Sequence, residues 1–141
     1  MISGYFSAKW GCPFVWARLT VSGRSAQAVP FLIDTGSATS IVHAIDARTR
    51  LNLAMSGLDP SAWPPEETVR RRGVAGVALS RLMEAVFDFA HEDGSTETIA
   101  ETIELGGLGS EGLPSLLGWD VLRHFRLDLD ASRGSVALLA P

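Results

Sequence analysis

The segment with the clearest chemical potential is Phe31-Leu32-Ile33-Asp34-Thr35-Gly36-Ser37-Ala38-Thr39-Ser40-Ile41-Val42. A carboxylate follows directly on an apolar run, enters a turn of small and hydroxyl residues, and the chain then becomes apolar again. Such a pattern holds Asp34 at the rim of a core. A carboxylate there is costly unless it is hydrogen-bonded, and the surrounding hydroxyls and backbone N–H groups can supply those bonds. Asp-Thr-Gly is also an ordinary turn tripeptide. The apolar flanks, and a second apolar-Gly segment at Leu116-Leu117-Gly118-Trp119-Asp120-Val121-Leu122 about 80 residues on, separate the two readings.

Other constellations point to less. Gly107-Leu108-Gly109-Ser110-Glu111-Gly112 matches a dinucleotide fingerprint, with Asp128 further on. That chemistry needs a helix opening at the last glycine, and Pro114 and Gly118 leave no room for one. Arg70-Arg71-Arg72 reads as a solvated strand edge. His43, His91 and His124 have no ligand spacing, and Cys12 is the only cysteine, so neither a metal site nor an intrachain disulfide is expected. Asp128 and Asp130 share a strand face without a calcium-loop pattern. No Gly-x-Ser-x-Gly elbow is present. Trp10, Trp16, Trp63 and Trp119 read as core or interface anchors, and Trp63, in a proline-rich loop, as the one placed to contact a partner.

These residues must be positioned by one domain, 1–141. Apolar residues make up 46 % of the chain, the ordinary globular share. A formal charge of −4, from 12 basic and 16 acidic residues, argues against nucleic-acid binding by bulk electrostatics. No apolar run is long enough to span a membrane. The first residues, Met1 to Lys9, lack a basic region followed by an apolar stretch, so a cytoplasmic protein is expected.

The spacing predicts a hairpin from Phe14–Val21 and Ala28–Ile33, a short strand at Ser40–Val42 and a short helix within His43–Leu53. Ser56–Glu67 reads as a surface loop. Val69–Phe89 reads as two strands around Gly73-Val74-Ala75-Gly76, with Glu84–Phe89 as an edge or half-exposed strand. A turn at His91–Ser95 leads to a strand at Thr96–Leu105 and a flexible loop at Gly106–Gly112. Leu116-Leu117 is a short strand, and Trp119, Leu122 and Phe125 recur at helical spacing. Phe125–Asp130 and Ser135–Leu139 pair around Ala131–Gly134. Many short strands with regular turns predict an all-β fold, a small closed or nearly closed barrel with one or two short helices.

The Phe31–Ser37 turn, the glycine-bearing hairpin at Gly73–Gly76 and the Leu116–Leu122 segment, in that order, resemble the retropepsin family over roughly Ala28 to Leu138. These are single-domain aspartic proteases related to retroviral proteases, with bacterial members. The resemblance implies a retropepsin-type barrel with a flap hairpin, and an aspartic endopeptidase that hydrolyses peptide bonds with no cofactor and no metal. It implies Asp34 as the catalytic residue of a homodimer acting on peptide or protein substrates. None of the other aspartates, from Asp46 to Asp130, is followed by Thr-Gly or Ser-Gly, so one chain supplies one such acid and a symmetry mate the other.

Residue by residue, the resemblance gives Thr35 a hydroxyl that crosses the dimer. It gives Gly36 close approach to the carboxylate, and Ser37 a hydrogen bond to Asp34. Gly73, Val74, Ala75 and Gly76 form the flap tip over the substrate. Leu117 and Gly118 pack under the turn, and Asp120 begins the helix as its cap. Retroviral members brace the dimer with paired charges where this chain has Ala38 and Trp119. That departure motivates a second expectation, a retropepsin-fold peptide-binding or dimerisation module without proteolysis.

Overall fold

The computed structural model describes residues 1–22, 24–73 and 76–141. The strands are β1 (Ile2–Ser3), β2 (Tyr5–Phe6), β3 (Pro13–Val21), β4 (Gln27–Ile33), β5 (Ile41–Val42), β6 (Thr68–Gly73), β7 (Gly76–Ala90), β8 (Thr96–Gly106), β9 (Leu116–Leu117), β10 (Arg126–Asp130) and β11 (Ser135–Leu139). Two short helices, α1 (Ala44–Thr49) and α2 (Trp119–Leu122), and three single 3₁₀ turns between Met55 and Glu67 complete the described elements. The fold is mostly β, as the turn spacing predicts. No helix among the described residues is long and apolar enough to cross a membrane.

Hydrogen bonding runs β3-β4-β9-β5-β8-β7 and returns to β3, so six strands form a ring. β2 and β6 extend the sheet outside the ring, and β1, β11 and β10 form a second, three-stranded sheet. Two-residue periodicity explains how the ring fills. On β3, Val15, Ala17, Leu19 and Val21 are buried, while Trp16 and Arg18 between them are exposed. Val29, Phe31 and Ile33 of β4, Phe87 and Phe89 of β7, and Ile99 and Ile103 of β8 meet them inside. Phe31, Phe87 and Phe89 form a chain of rings at 5.4 and 6.1 Å, which Phe125 closes edge-on at 5.5 Å. Truncating a phenylalanine in such a place costs about 3–5 kcal/mol.

Three expectations need correction. Glu84–Phe89 is the half-exposed strand of the two alternatives and not an edge: β7 bonds β8 from Ser80 to Ala90, β6 through its first half and β3 through Ala85–Asp88. Glu84, Val86 and Asp88 alternate with buried Ala85, Phe87 and Phe89 because the outer wall of a ring faces water, just as an edge does. Trp63 is buried, at 6 % exposure, and its indole N–H donates to Gly57 O at 2.9 Å. It anchors the 3₁₀ turns to the core and offers no surface to a partner, whereas Trp10, Trp16 and Trp119 are exposed. The helix is shorter than His43–Leu53, and just beyond it Asn52 takes a φ of 55°.

Candidate functional site

Asp34 stands where β4 leaves the interior. Its backbone N–H donates to Leu117 O at 3.0 Å, which carries the parallel β4–β9 pairing one residue past Ile33. The chain then turns: Gly36 N–H donates to the Asp34 carboxylate at 2.9 Å, and Ser37 N–H donates to Asp34 O at 3.2 Å. Asp34 is half-buried, while Thr35, Gly36 and Ala38 are exposed. A Cβ on Gly36 would lie 3.2 Å from Asp34 Oδ1, so glycine keeps that oxygen free to accept the backbone N–H. The expected bond from Ser37 to the Asp34 carboxylate is absent: the Ser37 hydroxyl donates to Thr39 O at 2.7 Å, because the turn carries it toward the following strand.

The Leu117–Asp120 segment packs under this turn. Leu117 is fully buried. Gly118 touches the turn so closely that a Cβ would come within 2.6 Å of the Thr39 carbonyl and 2.8 Å of Ser37 O. Trp119 N–H donates to Ser37 O, and Asp120 N–H to Ala38 O. Buried Ser40 sits at the centre of the contact. Its hydroxyl donates to Asp120 Oδ1 at 2.6 Å and accepts from Gly118 N–H at 2.9 Å, and its N–H donates to Asp120 Oδ2 at 2.8 Å. Asp120 is therefore not the cap of α2, whose N-cap is Gly118. It lies in the first turn of the helix, where its carboxylate accepts the N–H of Val121 at 2.8 Å as well as the two bonds from Ser40. Trp119 is 45 % exposed, and its indole N–H donates to Thr35 O at 2.6 Å, which fixes a flat apolar surface beside Asp34.

The β6–β7 hairpin runs in register from Thr68 opposite Arg81 to Gly73 opposite Gly76. Gly76 has a φ of 112°, a conformation that glycine adopts without strain. Val74 and Ala75, expected at the tip, lie outside the described residues. Arg70, Arg71 and Arg72 are all exposed, as a solvated edge requires, but the Arg71 guanidinium also bonds a residue that the motifs gave no reason to single out. Glu104 of β8 is buried, with 3 % of its side chain exposed. It accepts from Arg71 Nε at 3.1 Å and Nη2 at 2.8 Å, from Ser80 Oγ at 2.6 Å, and from Thr39 Oγ1. Burial pushes the Glu104 carboxyl up, but the hydrogen bonds from Arg71, Ser80 and Thr39 outweigh it and hold the group below its ordinary value. Arg71 is raised by its hydrogen bonds to Glu104, and then by the charge of Glu104. The available sequence signal was weak: Glu104 interrupts an otherwise apolar strand end, Ile103-Glu104-Leu105.

Beside this group, a cleft of about 380 Å³ opens between β7 and the loop after β8, walled by Ile41, His43, Val77, Leu79, Leu108 and Leu113. A larger one, about 720 Å³, lies under Leu53 and Met83 and is crossed by the Glu67–Arg81 ion pair. Asp34 lines neither. No helix opens in the Gly107–Gly112 loop, which bonds instead to Leu79 O and Leu58 O, so the fingerprint reading has no structural support. Ser115, Asp46 and His43 lie close together without forming a nucleophilic triad. The Ser115 hydroxyl donates to Asp46 at 2.6 Å and accepts the backbone N–H of His43, while His43 Nδ1 bonds Pro114 O at 2.6 Å. Burial lowers His43, disfavouring its charged form.

Comparison with known proteins finds no family model that matches the chain and no curated protein that matches it.

Proposed function

We propose that this chain is a retropepsin-type aspartic endopeptidase, active as a homodimer in which two copies of Asp34 share one water and one proton. The observation that carries the reading is the Asp34 turn itself. A half-buried carboxylate is held by the Gly36 N–H and clamped from beneath through Gly118, Ser40 and Asp120. The only side chains exposed along the turn are small ones, Thr35 and Ala38, so a second molecule can approach closely. The closed ring of strands supports the reading, as does the β6–β7 hairpin, whose Arg71 bonds Thr39 of the turn and which we assign as the flap.

In the dimer, the ionised carboxylate takes a proton from water as the water oxygen bonds to the scissile carbonyl carbon. The protonated carboxyl gives its proton to the carbonyl oxygen. The tetrahedral intermediate then collapses, the C–N bond breaks, and the amine nitrogen leaves with a proton from the pair, which titrates as a unit. Thr35 crosses toward the partner turn. Trp119 and Ala38 supply apolar contact where related enzymes use charges.

That apolar contact also favours a second reading, a peptide-binding or dimerisation module of the same fold without hydrolysis. Sedimentation and an Asp34→Asn variant decide. A dimer whose cleavage of a mixed peptide library disappears in Asp34→Asn, with unchanged melting, supports the protease. A dimer in which parent and variant are equally inert supports the module, and a protein that stays monomeric at high concentration rules out the paired mechanism.

A further inference from the structure

We propose that Glu104 is a positioning residue that couples the β6–β7 hairpin to the Asp34 turn. A carboxylate offers about four acceptor sites, and here all are taken. Oε1 receives Arg71 Nε and Ser80 Oγ; Oε2 receives Arg71 Nη2 and Thr39 Oγ1. Every donor comes from one of the two things to be coupled. Thr39 belongs to the turn, Arg71 to the outer strand of the hairpin and Ser80 to the inner one. The fork from Arg71 is bidentate, which fixes angle as well as distance. Its Nη2 also lies 3.3 Å from Thr39 Oγ1, closing a triangle between hairpin, carboxylate and turn. The backbone of Glu104 adds a further tie, its N–H donating to Ser40 O at 3.0 Å.

Apolar residues in place of the whole cluster would fill this buried place about as stably, because an ion pair with a buried member is a poor source of net stability. What the carboxylate adds is mutual dependence. If the hairpin swings away, Arg71 either leaves a buried charge half-paired or drags Glu104, and with it Thr39. The turn that presents Asp34 is therefore in its set geometry when the hairpin is seated. The consequence for cleavage rests on the protease reading; the coupling itself does not.

Amide hydrogen exchange read by mass spectrometry tests the coupling without any substrate. The hairpin variant Arg71→Met is expected to speed exchange about tenfold in residues 35–41, on a different element, as well as in strands 68–73 and 76–80. Thr39→Val is expected to do the reverse, loosening the hairpin. In a Glu104→Gln background, which preserves shape, Arg71→Met should add nothing at the turn. Arg71→Lys, which keeps the charge, should restore part of the protection. Acceleration confined to the mutated element, or transmitted equally well in Glu104→Gln, overturns the proposal. Peptide cleavage is assayed separately: an inert parent protein sinks the protease reading and leaves the exchange result to stand or fall alone.

Discussion

Gly118→Ala isolates the packing beneath Asp34. The backbone at Gly118, φ −100° and ψ −172°, suits any residue, so alanine suffers no conformational strain there. Its Cβ would instead press on main-chain atoms, the Thr39 carbonyl at 2.6 Å and Ser37 O at 2.8 Å. A flexible side chain could yield; a backbone pinned by Trp119, Asp120 and Ser40 cannot. Overpacking of this severity costs about 3 kcal/mol. Reducing the freedom of the unfolded chain returns roughly 0.7 kcal/mol, leaving a net loss of about 2 kcal/mol. For 141 residues the unfolding entropy is about 0.3 kcal/mol per kelvin, so the melting temperature should fall by roughly 7 °C. Thermal unfolding followed by circular dichroism measures this, with Gly112→Ala as the control. Nothing lies within 4 Å of a Cβ at Gly112, and its melting should shift by about 2 °C or less. If Gly118→Ala melts as the control does, the turn does not rest on Gly118 and the clamp described above is wrong.

Ser40→Ala removes the hydroxyl that joins Asp120 to Gly118 and leaves a buried N–H without a partner. The loss should be about 2–3 kcal/mol, read as a lower urea midpoint at unchanged slope. The two halves of the Arg71–Glu104 pair should respond unequally. Arg71→Met strands a buried carboxylate and costs about 3 kcal/mol, whereas Glu104→Gln strands only a half-exposed guanidinium and costs about 2 kcal/mol. Because folding holds Glu104 below its ordinary value, its contribution is complete above that value and disappears as pH falls through the folded one. Glu104→Gln should flatten the acid limb of stability against pH. His43 is also lowered by folding, so the unfolded chain binds its proton first and stability declines as pH drops below the ordinary imidazole value. Urea midpoints at pH 7.5 and pH 5 should differ less in His43→Asn than in the parent.

Strand positions were readable where neighbouring side chains alternate or where glycine interrupts them, as at Phe14–Val21, Gly94 and Gly134. The Asp34 turn and its support at Gly118 stood out because apolar runs bracket both. Side-chain partnerships did not stand out. Nothing local tells Asp120 to reach Ser40, because that choice depends on segments some 80 residues apart being brought together. Glu104 was hidden for the same reason, its four donors coming from positions 39, 71 and 80. Trp63 misled because proline-rich composition marks irregular backbone, which can still be buried when an indole finds a carbonyl.

The two strands that close the ring beside the Asp34 turn, β5 after it and β9 paired with the end of β4, are the shortest in the ring, with two residues each. β4 and β9 share two register pairs, β9 and β5 one, and β5 and β8 two, against eleven between β7 and β8. Backbone ladders that brief are where a sheet unzips first. The molecule thus displays its carboxylate at the weakest seam of its own circumference, and hydroxyls do there the stitching that main-chain bonds do elsewhere. Mild denaturant should expose the amide of Asp34 to exchange well before those of β7 and β8, so that the first breath of unfolding disarms the turn while the rest of the wall still stands.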